Sequence, residues 1–95
     1  MDAKDVYKQK REAQLKEWGA QINLLEAKAE NVGADMKVKH AEIMQGLRGK
    51  QHAASEEIKN LSTASGEAWE QVKSTADRIW DDLKHGVADA HSKFK

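Results

Sequence analysis

Apolar residues recur along the chain at helical spacing, and the period of this recurrence changes once. Up to residue 43 they are separated alternately by three and four residues, which is the heptad pattern of a coiled coil. Beyond residue 43 the spacing becomes four, three and four, so the pattern repeats every eleven residues, or three helical turns. This longer unit places Trp69, Trp80 and His91 at one equivalent position. The pattern predicts an all-α fold of long amphipathic helices.

We interpret the large apolar residues of this pattern as a self-association stripe. A helical hairpin would leave the first half of the stripe uncovered, and each large apolar side chain contributes roughly 1.5–3 kcal/mol when buried. We therefore expect a homo-oligomer, most simply a dimer with a four-helix arrangement. Val6 and Tyr7 precede the stripe without joining it, so we expect a frayed start of the first helix. The stripe consists of Leu15, Trp18, Ile22, Leu25, Val32, Met36, Ile43, Ile58, Leu61, Trp69, Val72, Trp80, Leu83, Val87 and Phe94.

A cluster of poor helix formers at Ser62–Gly66 predicts where the chain turns. Ser65 is a suitable N-cap for a new helix, because its side-chain oxygen can accept a backbone hydrogen bond. Two glutamates follow in the first turn of that helix, as is typical of a helix start. We predict one helical domain, 1–95, with a long helix over about 3–62, a turn at about 62–66 and a second helix over about 66–93. This helical hairpin would assemble as a coiled coil or bundle. Two alternatives stay open: one continuous long helix in an oligomeric coiled coil, and a break at Gly46–Gly49.

Charge and composition exclude several classes of function. The 95 residues carry 16 basic and 16 acidic side chains, interspersed along the chain, with no cysteine. Nucleic-acid binding needs a surface of predominantly basic charge, so we expect no nucleic-acid partner. No apolar run has the length of a membrane span, and the first residues lack the apolar core of a secretory signal. We therefore expect a cytoplasmic protein whose partner is a second copy of itself or another helical protein.

Four residues of the last third form a weak candidate metal site. Asp81 and Asp82 precede His85 by one helical turn, and Asp89 follows it by one turn. A solvated, charge-balanced helix surface explains the same spacing, so we expect no metal and no cofactor. The chain has no cysteine nucleophile, glycine-rich phosphate loop or His-Glu-x-x-His motif, so we expect a protein without enzymatic activity.

The three tryptophans allow a second interpretation of the stripe. Trp18, Trp69 and Trp80 lie at helical spacing, which favours packing between helices. The alternative is a peripheral lipid-binding protein that opens its hairpin and lays the tryptophan face on a membrane surface. The balanced charge disfavours this alternative, because anionic lipid attracts basic helices.

Two segments resemble a family of small bacterial coiled-coil proteins that are largely uncharacterised and are sometimes labelled stress-response-related. These are YKQKREAQLKEWGAQINLLEAKAE near the start and SGEAWEQVKSTADRIWDDLKHGVADAHSKFK at the end. The more specific motifs are Ala68-Trp69-Glu70 and Trp80-Asp81-Asp82-Leu83. The resemblance implies a helical, non-enzymatic protein with a stress-related role and supplies no catalytic residues. The middle of the chain departs from the Glu/Lys/Ala-rich pattern of the family at His40, Gly46, Gly49 and His52.

Overall fold

The computed structural model describes residues 3–94 as a bundle of three α-helices. Helix α1 spans Ala3–Glu30, α2 spans Ala34–Thr63 and α3 spans Trp69–Lys93. No residue within 3–94 belongs to a β-strand, so the predicted all-α fold class is confirmed. Residues 1, 2 and 95 of the predicted domain lie outside the described residues.

The helices pack side by side in an elongated molecule with Cα extents of 51 × 19 × 17 Å. Short turns at 31–33 and 64–68 join them, so α2 runs antiparallel to both α1 and α3. All three pairs of helices are in contact. The predicted packing of helices as a hairpin or bundle is therefore confirmed. The alternative of one continuous helix is wrong.

The predicted long helix over 3–62 is also wrong, because the chain turns at residues 31–33. The backbone N–H of Asn31 donates to the Lys28 carbonyl at 3.1 Å, and its side-chain amide donates to the Ala27 carbonyl at 3.1 Å. Gly33 is extended, with φ −64° and ψ 161°, and starts α2. Asparagine and glycine are poor helix formers, and a turn here lets α1 fold back on α2. A straight helix in a single chain would leave that apolar surface in water.

The second turn lies close to where the sequence predicts it. Helix α2 ends at Thr63, and α3 begins at Trp69, three residues after the predicted start. The Ser65 hydroxyl accepts a hydrogen bond of 3.4 Å from the Ala68 N–H, and the Ser65 carbonyl accepts one of 2.9 Å from the Trp69 N–H. Ser65 thus satisfies N–H groups ahead of α3, as an N-cap would. Gly46–Gly49 lies inside α2, which continues through both glycines without a break.

The core is one continuous cluster along the axis of the bundle. Its largest fully buried side chains are Trp80, Ile22, Leu25, Leu61 and Leu83. Helix α3 approaches α2 closely at Gly86, where an added Cβ would lie 3.1 Å from Leu47 Cδ2. Among residues 3–94, no helix is long and apolar enough to cross a membrane.

Candidate interaction surface

The predicted self-association stripe forms the core of a single chain. Three groups account for its members. The buried members are Ile22, Leu25, Leu61, Trp80, Leu83, Val87 and Phe94. Partly buried against them are Leu15, Trp18, Ile43, Ile58 and Val72. Val32 and Trp69 are half-buried, and Met36 is exposed. The expectation that a monomer leaves the first half of the stripe uncovered is wrong, because α1 packs against α2 and α3 in the same chain.

A cluster of aromatic and charged side chains joins α1 to α3. The Tyr7 hydroxyl donates a hydrogen bond of 2.5 Å to Asp77 Oδ1, and Arg11 Nη2 donates to the same oxygen at 2.6 Å. The Tyr7 ring meets Trp69 edge to face, with 5.7 Å between centroids. The Arg11 guanidinium lies 5.0 Å from the Tyr7 centroid and 5.6 Å from the Trp80 centroid. We call these five residues the α1–α3 cluster. The frayed start expected at Tyr7 is wrong, because this cluster holds the first turns of α1.

The electrostatics of the α1–α3 cluster suit a structural contact. The hydrogen bond from Tyr7 lowers the pKa of Asp77, and Arg11 lowers it further. Burial raises the pKa of Tyr7, and its hydrogen bond to Asp77 adds to this. Asp77 therefore stays ionised and Tyr7 stays protonated across the neutral range, so the two hydrogen bonds between the helices persist.

The weak metal candidates are not brought together. Asp82 pairs with Lys50 at 3.6 Å, and Asp89 pairs with Lys93 at 3.1 Å. Asp81 and His85 are exposed. Within residues 3–94, no group of three or more His, Asp or Glu side chains is arranged to hold a metal ion. The structure supplies no metal centre from which to argue a function.

A groove of about 340 Å³ lies between α1 and α2. Ala29, Ala41 and Met44 supply its apolar side chains. None of the residues that line it comes from α3, so the groove lies on the face that the α1–α2 pair leaves open. We call this the α1–α2 face.

The two edges of the groove carry opposite charges. Glu26 and Glu30 line it from α1, and Lys37 and Arg48 line it from α2, together with Gln45. Arg48 forms an ion pair with Glu26 and also donates to Gln51 Oε1 at 2.9 Å. One helix of the face is therefore acidic along the groove and the other is basic.

An exposed valine lies one helical turn from Ala41, which lines the groove. Val38 is 69% exposed, and it precedes Ala41 by three residues and Gln45 by seven on the same side of α2. The heptad pattern does not include Val38, and the sequence prediction missed it together with the groove. The sequence signal for this surface is the helical spacing of Ala34, Val38 and Ala41. This spacing can be interpreted only once α1 is known to fold back on α2.

Lipid binding through the tryptophan stripe requires the bundle to open. Trp80 is only 1% exposed, and Trp18 packs against the core. In the folded bundle the tryptophans are buried or half-buried, so the lipid alternative depends on the opening of the hairpin that it includes.

The chain has no significant match among protein-family models, curated proteins or solved structures. Its function has to be argued from the geometry of its own surface.

Proposed function

We propose that this protein is a non-enzymatic helical interaction protein that binds a second copy of itself through the α1–α2 face. The observation that carries the proposal is the groove between α1 and α2, which has an apolar floor and charged edges and is not covered by α3. Helical partners commonly bind in such grooves through a row of apolar side chains. The resemblance to the bacterial coiled-coil family adds a stress-related role to the proposal.

The physical support is the contrast between the core and this face. Most apolar residues of the eleven-residue repeat are packed in the bundle, so they offer a partner little apolar surface. Val38 is large, apolar and exposed beside the groove. A partner that covers it removes this apolar side chain from water, which favours association by roughly 25 cal/mol per Å² of apolar area.

Analytical ultracentrifugation over a range of protein concentrations tests the proposal. Wild type should shift from monomer to dimer as its concentration rises, by mass action. Val38→Ser should weaken the dimer by about threefold to tenfold, because it replaces buried apolar area with a hydroxyl.

Val6→Ser is the matched control. Val6 is 53% exposed on α1, about 20 residues from the groove, and the substitution is the same. The control should dimerise like wild type. A chain that stays monomeric at every concentration contradicts the proposal. Equal dimerisation of both variants would also contradict it, because the dimer interface would then lie on another surface.

A further inference from the structure

We infer that two copies pack α1 of one against α2 of the other, related by a two-fold axis that runs along the helices. This inference rests on the proposed function and names the geometry of its dimer. It follows from the opposite charges on the two edges of the α1–α2 face.

Face-to-face packing of identical surfaces allows two directions for the two-fold axis within the interface. If the axis runs across the helices at the height of the groove, α1 lies on α1, so the groove glutamates of one copy meet those of the other. If the axis runs along the helices, α1 lies on α2, so the acidic edge meets the basic edge twice. Juxtaposed like charges oppose association, so the charge pattern selects the second arrangement.

Glu30 and Lys37 are the two charges on these edges that can pair with the second copy. Both are exposed groove-lining side chains, and neither forms an ion pair within residues 3–94. In contrast, Glu26 and Arg48 already pair with each other.

The heights of these two residues along the bundle match the axis. Glu30 is the last residue of α1 and Lys37 lies in the first turn of α2, so both sit beside the turn at 31–33. Rotation about an axis along the helices leaves the position of each residue along the bundle the same in both copies. It therefore places Glu30 of each copy opposite Lys37 of the other.

The size of the face is adequate for such a dimer. A standard interface takes about 800 Å² from each partner. The long face of this bundle has Cα extents of 51 × 19 Å. Packing along the helices can therefore supply the required area, whereas a steep crossing would use only part of the length.

Charge reversal provides the test. Glu30→Lys alone places Lys on Lys37 twice across the interface, and Lys37→Glu alone places Glu on Glu30 twice. Each variant should raise the dimer dissociation constant by about tenfold or more at low salt. An equimolar mixture of the two variants should form a heterodimer, since one copy then presents two lysines and the other two glutamates. The double variant should dimerise by itself.

Both substitutions should leave the bundle folded. Lysine replaces glutamate at the C-terminus of α1, and glutamate replaces lysine at the N-terminus of α2, so both changes suit the helix dipoles. Circular dichroism checks the helix content. Lys84→Glu on α3 is the matched control, and it should neither weaken the dimer nor restore association when mixed with Glu30→Lys.

The outcomes separate the geometry from the proposed function. Rescue in the mixture supports the geometry. A dimer that persists in both single variants overturns it while the proposed self-association stands. Single variants that lose the dimer but do not recover it on mixing overturn the two-fold arrangement. A wild type that is monomeric throughout overturns both.

Discussion

At the scale of single residues, two side chains of α1 hydrogen-bond to one carboxylate of α3. Tyr7 is the only tyrosine of the chain, and its hydroxyl reaches Asp77 from the other helix. The same carboxylate accepts from Arg11, so two donors of α1 converge on one oxygen of α3. Nearby, Nε1 of Trp69 and Nε1 of Trp80 are buried without a hydrogen-bond partner. The hydrogen-bond energy at this contact therefore comes from the tyrosine and arginine rather than from the indoles.

The first prediction concerns Tyr7→Phe, which removes this hydroxyl and preserves the ring. We expect the free energy of unfolding at neutral pH to fall by about 0.5–1.5 kcal/mol. The difference between wild type and variant should depend on pH. The pKa of Asp77 is lowered from 3.8 in the folded chain, so its contribution is present above about pH 4 and is lost as the pH falls further. The pKa of Tyr7 is raised from 10.0, so its contribution is present below about pH 10 and is lost as the pH rises further.

Urea denaturation across this pH range measures the difference directly. Comparing the two proteins cancels the titration of the other groups, because these are the same in both. The difference should be constant at intermediate pH and shrink at both ends. A difference that does not change with pH would show that the hydroxyl makes no hydrogen bond to an ionised Asp77.

At the scale of the helices, the glycines of α2 and α3 have different roles. Gly46 and Gly49 are exposed inside α2, have negative φ, and an added Cβ would meet no atom within 4 Å. Gly86 of α3 faces α2, where an added Cβ would lie 3.1 Å from Leu47 and 3.3 Å from Lys50. The first two therefore cost helix stability without a packing reason, whereas the third permits a close approach of two helices.

The second prediction is that Gly46→Ala and Gly49→Ala each raise the free energy of unfolding by about 0.4–1 kcal/mol. The reason is that alanine restricts the unfolded chain and fits the helix without strain. Gly86→Ala is the comparison, and it should gain less or lose stability, because buried Leu47 has to move. Thermal unfolding followed by circular dichroism ranks the three variants. A loss of stability in Gly46→Ala would mean that α2 is not a regular helix at this point.

At the scale of the whole molecule, the structure assigns the heptad residues of α1 to the core of a single chain. Leu25 is fully buried, whereas its neighbour Leu24 is 65% exposed. The two leucines are adjacent in sequence and project about 100° apart around the same helix, one into the core and one into solvent. The burial of Leu25 within one chain distinguishes a three-helix bundle from a hairpin that needs a second chain to cover α1.

The third prediction compares Leu25→Ala with Leu24→Ala. Leu25→Ala should lower the free energy of unfolding by about 2–5 kcal/mol, because it leaves a cavity in the core. Leu24→Ala should change it by no more than about 0.5 kcal/mol, as is usual for exposed positions. Urea denaturation at two protein concentrations measures both. The loss in Leu25→Ala should be the same at both concentrations, since the contact lies within one chain. A loss that grows on dilution would instead place Leu25 between chains.

The amino-acid sequence by itself determined that the chain is helical and which positions are apolar on each helix. Helix propensity and the spacing of apolar residues are local properties, so they can be read without knowledge of contacts. The turn near Ser65 was also predictable, because several poor helix formers occur together there. The turn at Asn31–Gly33 was not recognised, since the heptad phase of Val32 and Met36 runs through it without interruption.

Only the tertiary structure decided that the apolar stripe is buried within a single chain. A turn at 31–33 and a continued helix differ locally by a few poor helix formers, each worth at most about 1 kcal/mol. Burial of Ile22 and Leu25 in the core of the same chain contributes roughly 1.5–3 kcal/mol for each residue and outweighs that difference. The contacts that produce this burial join residues distant in sequence, so no local pattern contains them. The same non-local packing decides that α3 leaves the α1–α2 face open, and with it the groove between Glu30 and Lys37.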